Sequence, residues 1–218
     1  IFGCFQRGEP LRFEGEHSHF DRLQPFFNPG PIEHPEIPLL LGAVGPRMTA
    51  LAGELADALV THPTNTHPRY LREVIRPGLG KGAARANRDA NDVQIMLAPL
   101  VATGLNAEQT RADREKQRQL LSFLYSTPAY WPSLELFGWD EVGPRLRQLT
   151  REGKWGEMPD VISDAMLEEL LPTAPFAEIA DVLRERYADL ATTITFPLPE
   201  DPALDPEVAK VISRLHDS

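Results

Sequence analysis

Apolar positions along this chain repeatedly switch from short continuous runs to a helical period. Ile37-Pro38-Leu39-Leu40-Leu41-Gly42 is an apolar run of strand length ending in glycine, the pattern of a strand buried on both faces of a parallel sheet. A turn over Gly42 to Arg47 follows. Pro46 suits the first position of a helix, where its missing N–H costs nothing, and Met48, Leu51, Ala52 and Leu55 then recur at helical spacing, so a helix ending near Ala56 is predicted. Ala58-Leu59-Val60-Thr61-His62 predicts a second strand, closed by the breaker-rich Pro63-Thr64-Asn65-Thr66-His67-Pro68. Tyr70, Leu71, Val74 and Ile75 mark the next helix, which Pro77-Gly78-Leu79-Gly80 is expected to interrupt before a short basic helical stretch over residues 82–88.

The same alternation continues downstream. Residues 93–102 read as a third strand with Pro99 at its end or at a bulge. Residues 107–125 read as a helix whose later half (Leu120, Leu121, Phe123, Leu124) is buried. The aromatics Tyr125, Tyr130, Trp131, Phe137 and Trp139 either wall an apolar cavity or pack beneath a long connection, and packing is the favoured reading. Residues 140–171 predict two or three short helices broken around Gly153 and Pro159. Residues 175–190 predict an amphipathic helix, 191–196 a β-branched fourth strand, and 206–215 a last helix. Residues 1–37 show no helical period and read as a loop with a small hairpin.

Strands alternating with helices imply an α/β fold with a parallel sheet. A closed (β/α)8 barrel typically takes about 250 residues, and four strand signals in 218 residues account for about half of one. A self-contained doubly wound sheet is the physical alternative. It usually carries a glycine-rich fingerprint in its first strand–helix turn, which Gly42-Ala43-Val44-Gly45-Pro46 matches only in part. The expected organisation is a single domain over 1–218, with 1–37 a hairpin and loop insertion and 38–218 the second half of a barrel.

Composition narrows the function classes. Lys and Arg number 22 against 32 Asp and Glu, a net charge of −10, and no basic cluster offsets it, so nucleic acid is not an expected partner. A single cysteine, Cys4, excludes an internal disulfide framework. The longest apolar run, 39–44, is far short of the ~18 residues of a membrane span, and no signal-peptide pattern opens the chain. A cytoplasmic protein without a membrane partner is expected. The chain begins with Ile1, and its 21 prolines are about twice the usual ~5%; it is expected to be part of a longer protein.

In either α/β architecture ligands gather at the carboxyl ends of the strands. Gly42 and Gly45 there let the backbone approach a ligand closely. The helix that follows offers free N–H groups and the positive end of its dipole, and Arg47 adds charge, a pattern suited to phosphate. The competing reading is a tight turn with Arg47 solvated. His62 and Thr64 after the second strand are candidates to face a substrate, the imidazole as donor or proton exchanger; His67 lies further along the same loop. His17 and His19, two apart with Glu14 and Glu16 nearby, raise a metal site that no further spaced ligand completes, so no metal is expected. No Gly-x-Ser-x-Gly elbow occurs, and Cys4 sits outside the expected pocket, which disfavours a hydrolase.

The run from Pro38 to Val60, Pro-Leu-Leu-Leu-Gly-Ala-Val-Gly-Pro-Arg-Met-Thr-Ala-Leu-Ala-Gly-Glu-Leu-Ala-Asp-Ala-Leu-Val, resembles the strand–turn–helix–strand of the bacterial luciferase-like monooxygenase superfamily, with Ala58 where a glycine is usual. Gly8-Glu-Pro-Leu-Arg-Phe-Glu-Gly-Glu-His resembles its hairpin insertion. Residues 172–187 resemble its late helix opening, with Ala174 departing from the spacing. Gly-Ala-Val-Gly-Pro-Arg-Met together with Thr-His-Pro-Thr-Asn-Thr is most similar to the branch that uses the deazaflavin coenzyme F420.

The resemblance implies a TIM-type (β/α)8 barrel, present here as a partial barrel corresponding to the C-terminal two-thirds. It also implies hydride transfer between F420 and a small organic substrate, and a homodimer in the full-length form. It assigns the cofactor to Gly42, Ala43, Val44, Gly45, Pro46 and Arg47, and a substrate-facing position to His62, with Thr64 beside it. The catalytic residues themselves are expected in the preceding part of the barrel, so weak or absent activity is expected of this chain alone. An FMN-dependent monooxygenase of the same family is the nearest alternative. A non-catalytic module that binds a phosphorylated ligand or another chain is the alternative of another class.

Overall fold

A computed structural model describes residues 2–216, in two compact units that divide after residue 38. In the first unit, residues Phe2–Arg7 form a six-residue helix, α1, where no helical period was expected; Cys4 is buried on it. The expected hairpin is present as β1 (Phe13–Glu14) and β2 (His19–Phe20), with Phe13 opposite Phe20 and Glu14 opposite His19. His17 lies in the connecting turn, so it does not share a strand face with His19, whose Nδ1 instead meets Glu14 Oε2 at 2.6 Å.

The second unit holds a parallel sheet of four strands in the order β3 (Leu40–Gly42), β4 (Ala58–Val60), β5 (Gln94–Leu97), β6 (Thr193–Ile194). The strand sites match the sequence expectation, but each strand is shorter, and β3 is not buried on both faces. Leu39 and Leu40 are each 46% exposed, because β3 is the outermost strand and pairs only with β4. Pro38 has no N–H to donate, and hydrogen bonding to β4 starts beyond it. β5 stops at Leu97. Downstream, Ala102 forms a parallel bridge to Thr173, with Ala102 N–H donating to the Pro172 carbonyl at 2.9 Å and Ala174 N–H to the Ala102 carbonyl at 3.1 Å. The sheet is open, and the four strands do not close a barrel.

Helix α2 (Pro46–Leu55) starts as expected, with Gly45 at its N-cap and Pro46 in the first turn. Beyond β4 the expected interruption does not occur: α3 (Pro68–Tyr70), a π-helical turn over Leu71–Ile75 and α4 (Arg76–Arg85) follow without a gap. Pro77 is tolerated because it falls in the first turn of α4, directly after the widened π turn. The glycines around it are explained by packing. A Cβ on Gly82 would lie 1.7 Å from the Ala50 carbonyl oxygen, and one on Gly53 would lie 2.1 Å from that of Leu79. Glycine at 53 and 82 lets the α2 and α4 backbones touch.

The helical excursion after β5 comprises α5 (Ala107–Tyr125), α6 (Trp131–Glu135), α7 (Val142–Arg151) and α8 (Asp164–Leu170). It has an apolar cluster of its own built on Tyr125, Leu134, Leu146, Leu149 and Leu167. Tyr130, Trp131 and Trp139 pack against that cluster, as the packing reading of the aromatics expects. The main core lies between the sheet and its helices and includes Leu59, Ile75, Leu97, Ile179 and Leu183. α9 (Ile179–Tyr187) begins four residues later than expected, after a turn in which Glu178 N–H meets the Pro175 carbonyl. α10 (Asp205–His216) closes the described chain.

The glycine contact makes a prediction with two signs. Gly82→Ala and Gly53→Ala should each destabilise the protein by about 1–3 kcal/mol through overpacking. Gly80→Ala, on the same helix with nothing within 4 Å of its Cβ position, should stabilise it by about 0.5–1 kcal/mol through helix propensity. Urea denaturation of the three variants measures both effects.

Candidate functional site

Parallel register brings Gly42, Val60 and Met96 to one level, so the segments that leave β3 and β4 emerge side by side. The first is the turn Gly42 to Arg47. Gly45 has extended backbone angles (φ −89°, ψ 164°) that any residue adopts, and neither Gly42 nor Gly45 has any atom within 4 Å of a Cβ position. No internal packing demands these two glycines, in contrast to Gly53 and Gly82. Thr49 N–H and its hydroxyl both turn back to the Gly45 carbonyl, each at 3.0 Å. The N–H groups of Gly45, Arg47 and Met48 have no hydrogen-bond partner among the described residues, and Arg47 is exposed and makes no ion pair there. Free N–H groups at a helix start, with a cation beside them and open space in front, are an arrangement that can receive an anion.

The second segment folds as a single 3-10 turn over Pro63–Asn65 with His62 at its N-cap. His62 is fixed from three directions. Its backbone N–H donates to Asn65 Oδ1 at 2.8 Å. Its Nδ1 lies 2.9 Å from Thr64 Oγ1 and accepts the Thr64 N–H at 3.4 Å. Its ring stacks on Tyr130, 4.3 Å between centroids and 10° from coplanar. Because Nδ1 faces an N–H donor, the proton of the neutral ring belongs on Nε2. Burial pushes the His62 pKa below its ordinary value, so the ring is neutral at pH 7, with Nε2–H as its available donor.

Thr64 is buried, and its hydroxyl is used in holding His62. Its carbonyl is approached by the Tyr125 hydroxyl at 3.5 Å; burial pushes that phenol up to about 12. His67 is also buried, but both ring nitrogens are taken. Nδ1 accepts the Arg69 N–H at 3.0 Å and Nε2 meets Glu169 Oε1 at 2.8 Å. It therefore ties the loop to α8.

Gly42 to Arg47 and the His62 loop are joined by Asn65, whose Nδ2 donates to the Ala43 carbonyl at 3.3 Å. Asn65 is a neighbour of the site that the sequence reading did not single out as functional, and Tyr130 one that it named only within an aromatic group for which packing was favoured. The signal for Asn65 was an Asx residue five positions after the end of β4, in a proline-bounded loop. Tyr130 arrives from a distant excursion and leaves no local signal. Three clefts of about 430, 480 and 360 Å3 lie elsewhere, at the amino ends of β5 and β6, among α5, α8 and α9, and beside Phe123 and Trp155. The strand-end site itself is an open shelf. Among the described residues no group of three or more His, Cys, Asp or Glu is placed to hold a metal, and no helix is long and apolar enough to cross a membrane.

A family-wide sequence profile for luciferase-like monooxygenase matches residues 1–193. An uncharacterised protein of Mycobacterium tuberculosis is 37% identical over 186 residues, which cover 85% of this chain and 54% of that protein. The 5,10-methylenetetrahydromethanopterin reductase of Archaeoglobus fulgidus is 28% identical over 170 residues, covering 74% and 46%. Among solved structures, the coenzyme F420 dependent tetrahydromethanopterin reductase from Methanopyrus kandleri superposes with a TM-score of 0.73 at 21% identity, covering 99% of this chain and 58% of the other. The chain thus spans about half the length of the curated relatives it matches, and its open sheet corresponds to part of their TIM-type barrel.

The His67 contacts carry a pH prediction. Burial first, then the Arg186 guanidinium, lowers the His67 pKa to about 4, against the opposing pull of Glu169. A histidine held below its unfolded value of ~6.5 contributes stability above pH ~6.5 that is lost as pH falls toward the folded value. The thermal midpoint should therefore drop by several degrees between pH 6.5 and 4. In His67→Gln that slope should be much reduced, as a pH series of melting curves will read.

Proposed function

The chain belongs to the luciferase-like monooxygenase family, and from that premise we propose that it is the cofactor-holding part of an F420-dependent oxidoreductase acting on a small organic substrate. The observation that carries this reading is the open turn at the start of α2. Gly42 and Gly45 there leave room that a Cβ would fill, and the N–H groups and Arg47 are unspent. The residues present fit a phosphate-bearing cofactor. The turn Gly42, Ala43, Val44, Gly45, Pro46 and Arg47 would hold its phosphate through the free N–H groups of Gly45, Arg47 and Met48, the helix dipole and the Arg47 guanidinium, since Pro46 has no N–H and that of Ala43 is spent on the Val60 carbonyl. Bound there, the deazaflavin supplies the carbon that accepts or gives a hydride.

The protein's own residues bind and orient. His62, neutral and immobilised by Thr64 and Tyr130, would present Nε2–H to a polar atom of the substrate, donating a hydrogen bond to an oxygen or nitrogen on which charge develops. Tyr130 would wall the same side of the shelf and limit water there. The coenzyme named for the similar Methanopyrus kandleri reductase supports F420 over FMN. The phosphate cradle accepts either cofactor, so FMN remains the competing arm of the test. In the full-length protein we propose a homodimer.

Fluorescence titration of the full-length protein with F420 and with FMN tests the cofactor class: micromolar or tighter binding of F420, with FMN at least tenfold weaker, is expected. FMN binding as tight as F420 overturns the deazaflavin assignment, and binding of neither overturns the enzyme reading. Gly45→Val should weaken F420 by about tenfold or more while costing about 1 kcal/mol or less in folding stability, the scale of an N-cap change. Equal losses in both would return the turn to a purely structural role. His62→Ala should lower turnover or raise KM by about 10²-fold, the scale of a lost proton or hydrogen-bond donor, with the F420 dissociation constant unchanged.

A further inference from the structure

Asn65 is 2% exposed and spends both ends of its amide on backbone groups of the two segments that form the site. The partners dictate its orientation. The His62 N–H can only donate, so it faces Oδ1; the Ala43 carbonyl can only accept, so it faces Nδ2. Ala43 is held from its other side by β4, its N–H donating to the Val60 carbonyl at 3.2 Å. Two residues upstream of the first free N–H group, that of Gly45, the chain is therefore clamped between the end of β4 and the Asn65 amide. The other end of that amide holds the backbone of His62. The loop is anchored again at His67, through Glu169 of α8.

We propose that Asn65 is a positioning residue that locks the Gly42 to Arg47 turn to the His62 loop, so that the phosphate cradle and the substrate-facing imidazole keep one fixed spacing. This rests on the phosphate-cradle reading above. A residue that only capped the 63–65 turn would need a single acceptor for the His62 N–H. The donor turned to Ala43, 22 residues away in sequence, is the part that such a role leaves unexplained. The turn itself has few other restraints: Gly42 and Gly45 contact nothing at their Cβ positions, and Arg47 is exposed. Without the Nδ2 bond, the Ala43 carbonyl would be free to rotate and carry the next N–H groups out of convergence.

Two variants of the full-length protein test this, each titrated with F420 and with the phosphate-free deazaflavin riboside. Asn65→Asp keeps an oxygen for the His62 N–H and loses the donor to Ala43. Asn65→Ala loses both contacts and adds no charge. Both should bind F420 about tenfold or more weakly than wild type, the scale of a small misplacement of a binding group, and both should bind the phosphate-free riboside within about twofold of wild type. Wild-type F420 affinity in either variant overturns the proposal, as do equal losses for both ligands; a loss in Asn65→Asp alone assigns the effect to charge repulsion. If the unsubstituted protein binds neither F420 nor the riboside, the cofactor reading itself fails and the proposal with it. If it binds F420 no better than the riboside, the phosphate cradle fails while the deazaflavin survives.

Discussion

Parallel pairing is the constraint from which the rest follows. Antiparallel strands return the chain to alternate edges, whereas parallel strands force every connection out through the same edge. In this chain Gly42, Val60 and Met96 stand at one level, so two loops that share no sequence motif are forced into contact. The Gly42 to Arg47 turn and the His62 loop are neighbours because of the register. Threonines secure that edge: Thr61 Oγ1 accepts the Ala98 N–H at 3.2 Å, and Thr195 N–H reaches the Leu97 carbonyl at 2.8 Å just past β6. The ladder is thereby prolonged beyond strands that are only two to four residues long.

Much of the α/β order was legible because buried parallel strands and their helices carry different apolar periods. All four strand positions and the start of α2 followed from that difference and from proline chemistry. What local pattern failed to report was of two kinds. One is exposure: Leu39-Leu40-Leu41 reads as doubly buried, yet Leu39 and Leu40 are nearly half open, because burial of an edge strand depends on what lies beside it and not on its own composition. The other is the meaning of glycine. Gly78 and Gly80 beside Pro77 read as a break, while Gly53 and Gly82 in fact mark where two helix backbones meet, and only the partner helix shows which glycines are obligatory. Gly42 and Gly45 look no different in sequence, but their Cβ positions open onto empty space.

The same division runs through the candidate site. His62 and the Gly42 to Arg47 turn were visible as strand-end residues, since their positions follow from the fold class. Tyr130 was not, because nothing within the excursion between β5 and β6 says which of its aromatics returns to the sheet. Tyr130 does, laying its ring on His62, whereas Trp131 donates its indole N–H to the Tyr125 carbonyl at 2.9 Å and stays with the helical cluster. The packing expectation therefore holds for Tyr125, Tyr130, Trp131 and Trp139, while Tyr130 also lies on His62, the Tyr125 hydroxyl approaches the Thr64 carbonyl, and Phe137 meets the His67 ring edge-on at 4.6 Å.

Two histidines five residues apart, His67 buried and His62 half-buried, have been given opposite tasks by their partners. His67 uses both nitrogens on protein groups, with a carboxylate at Nε2 and a backbone donor at Nδ1, so its hydrogen-bonding capacity is exhausted in joining the loop to α8. His62 uses only Nδ1, and against a neutral hydroxyl and an N–H. With no carboxylate to stabilise an imidazolium and burial opposing it, the ring at 62 is held neutral with one donor unspent. Under the proposed reading, a neutral donor would suit a site where a phosphate-bearing cofactor and Arg47 set the local charge. It would donate a hydrogen bond to a substrate atom without adding a second cation to the site. Under the proposed reading, the rigidity of that donor is as important as its chemistry, and it is supplied by stacking, by Thr64 and by the Asn65 clamp together.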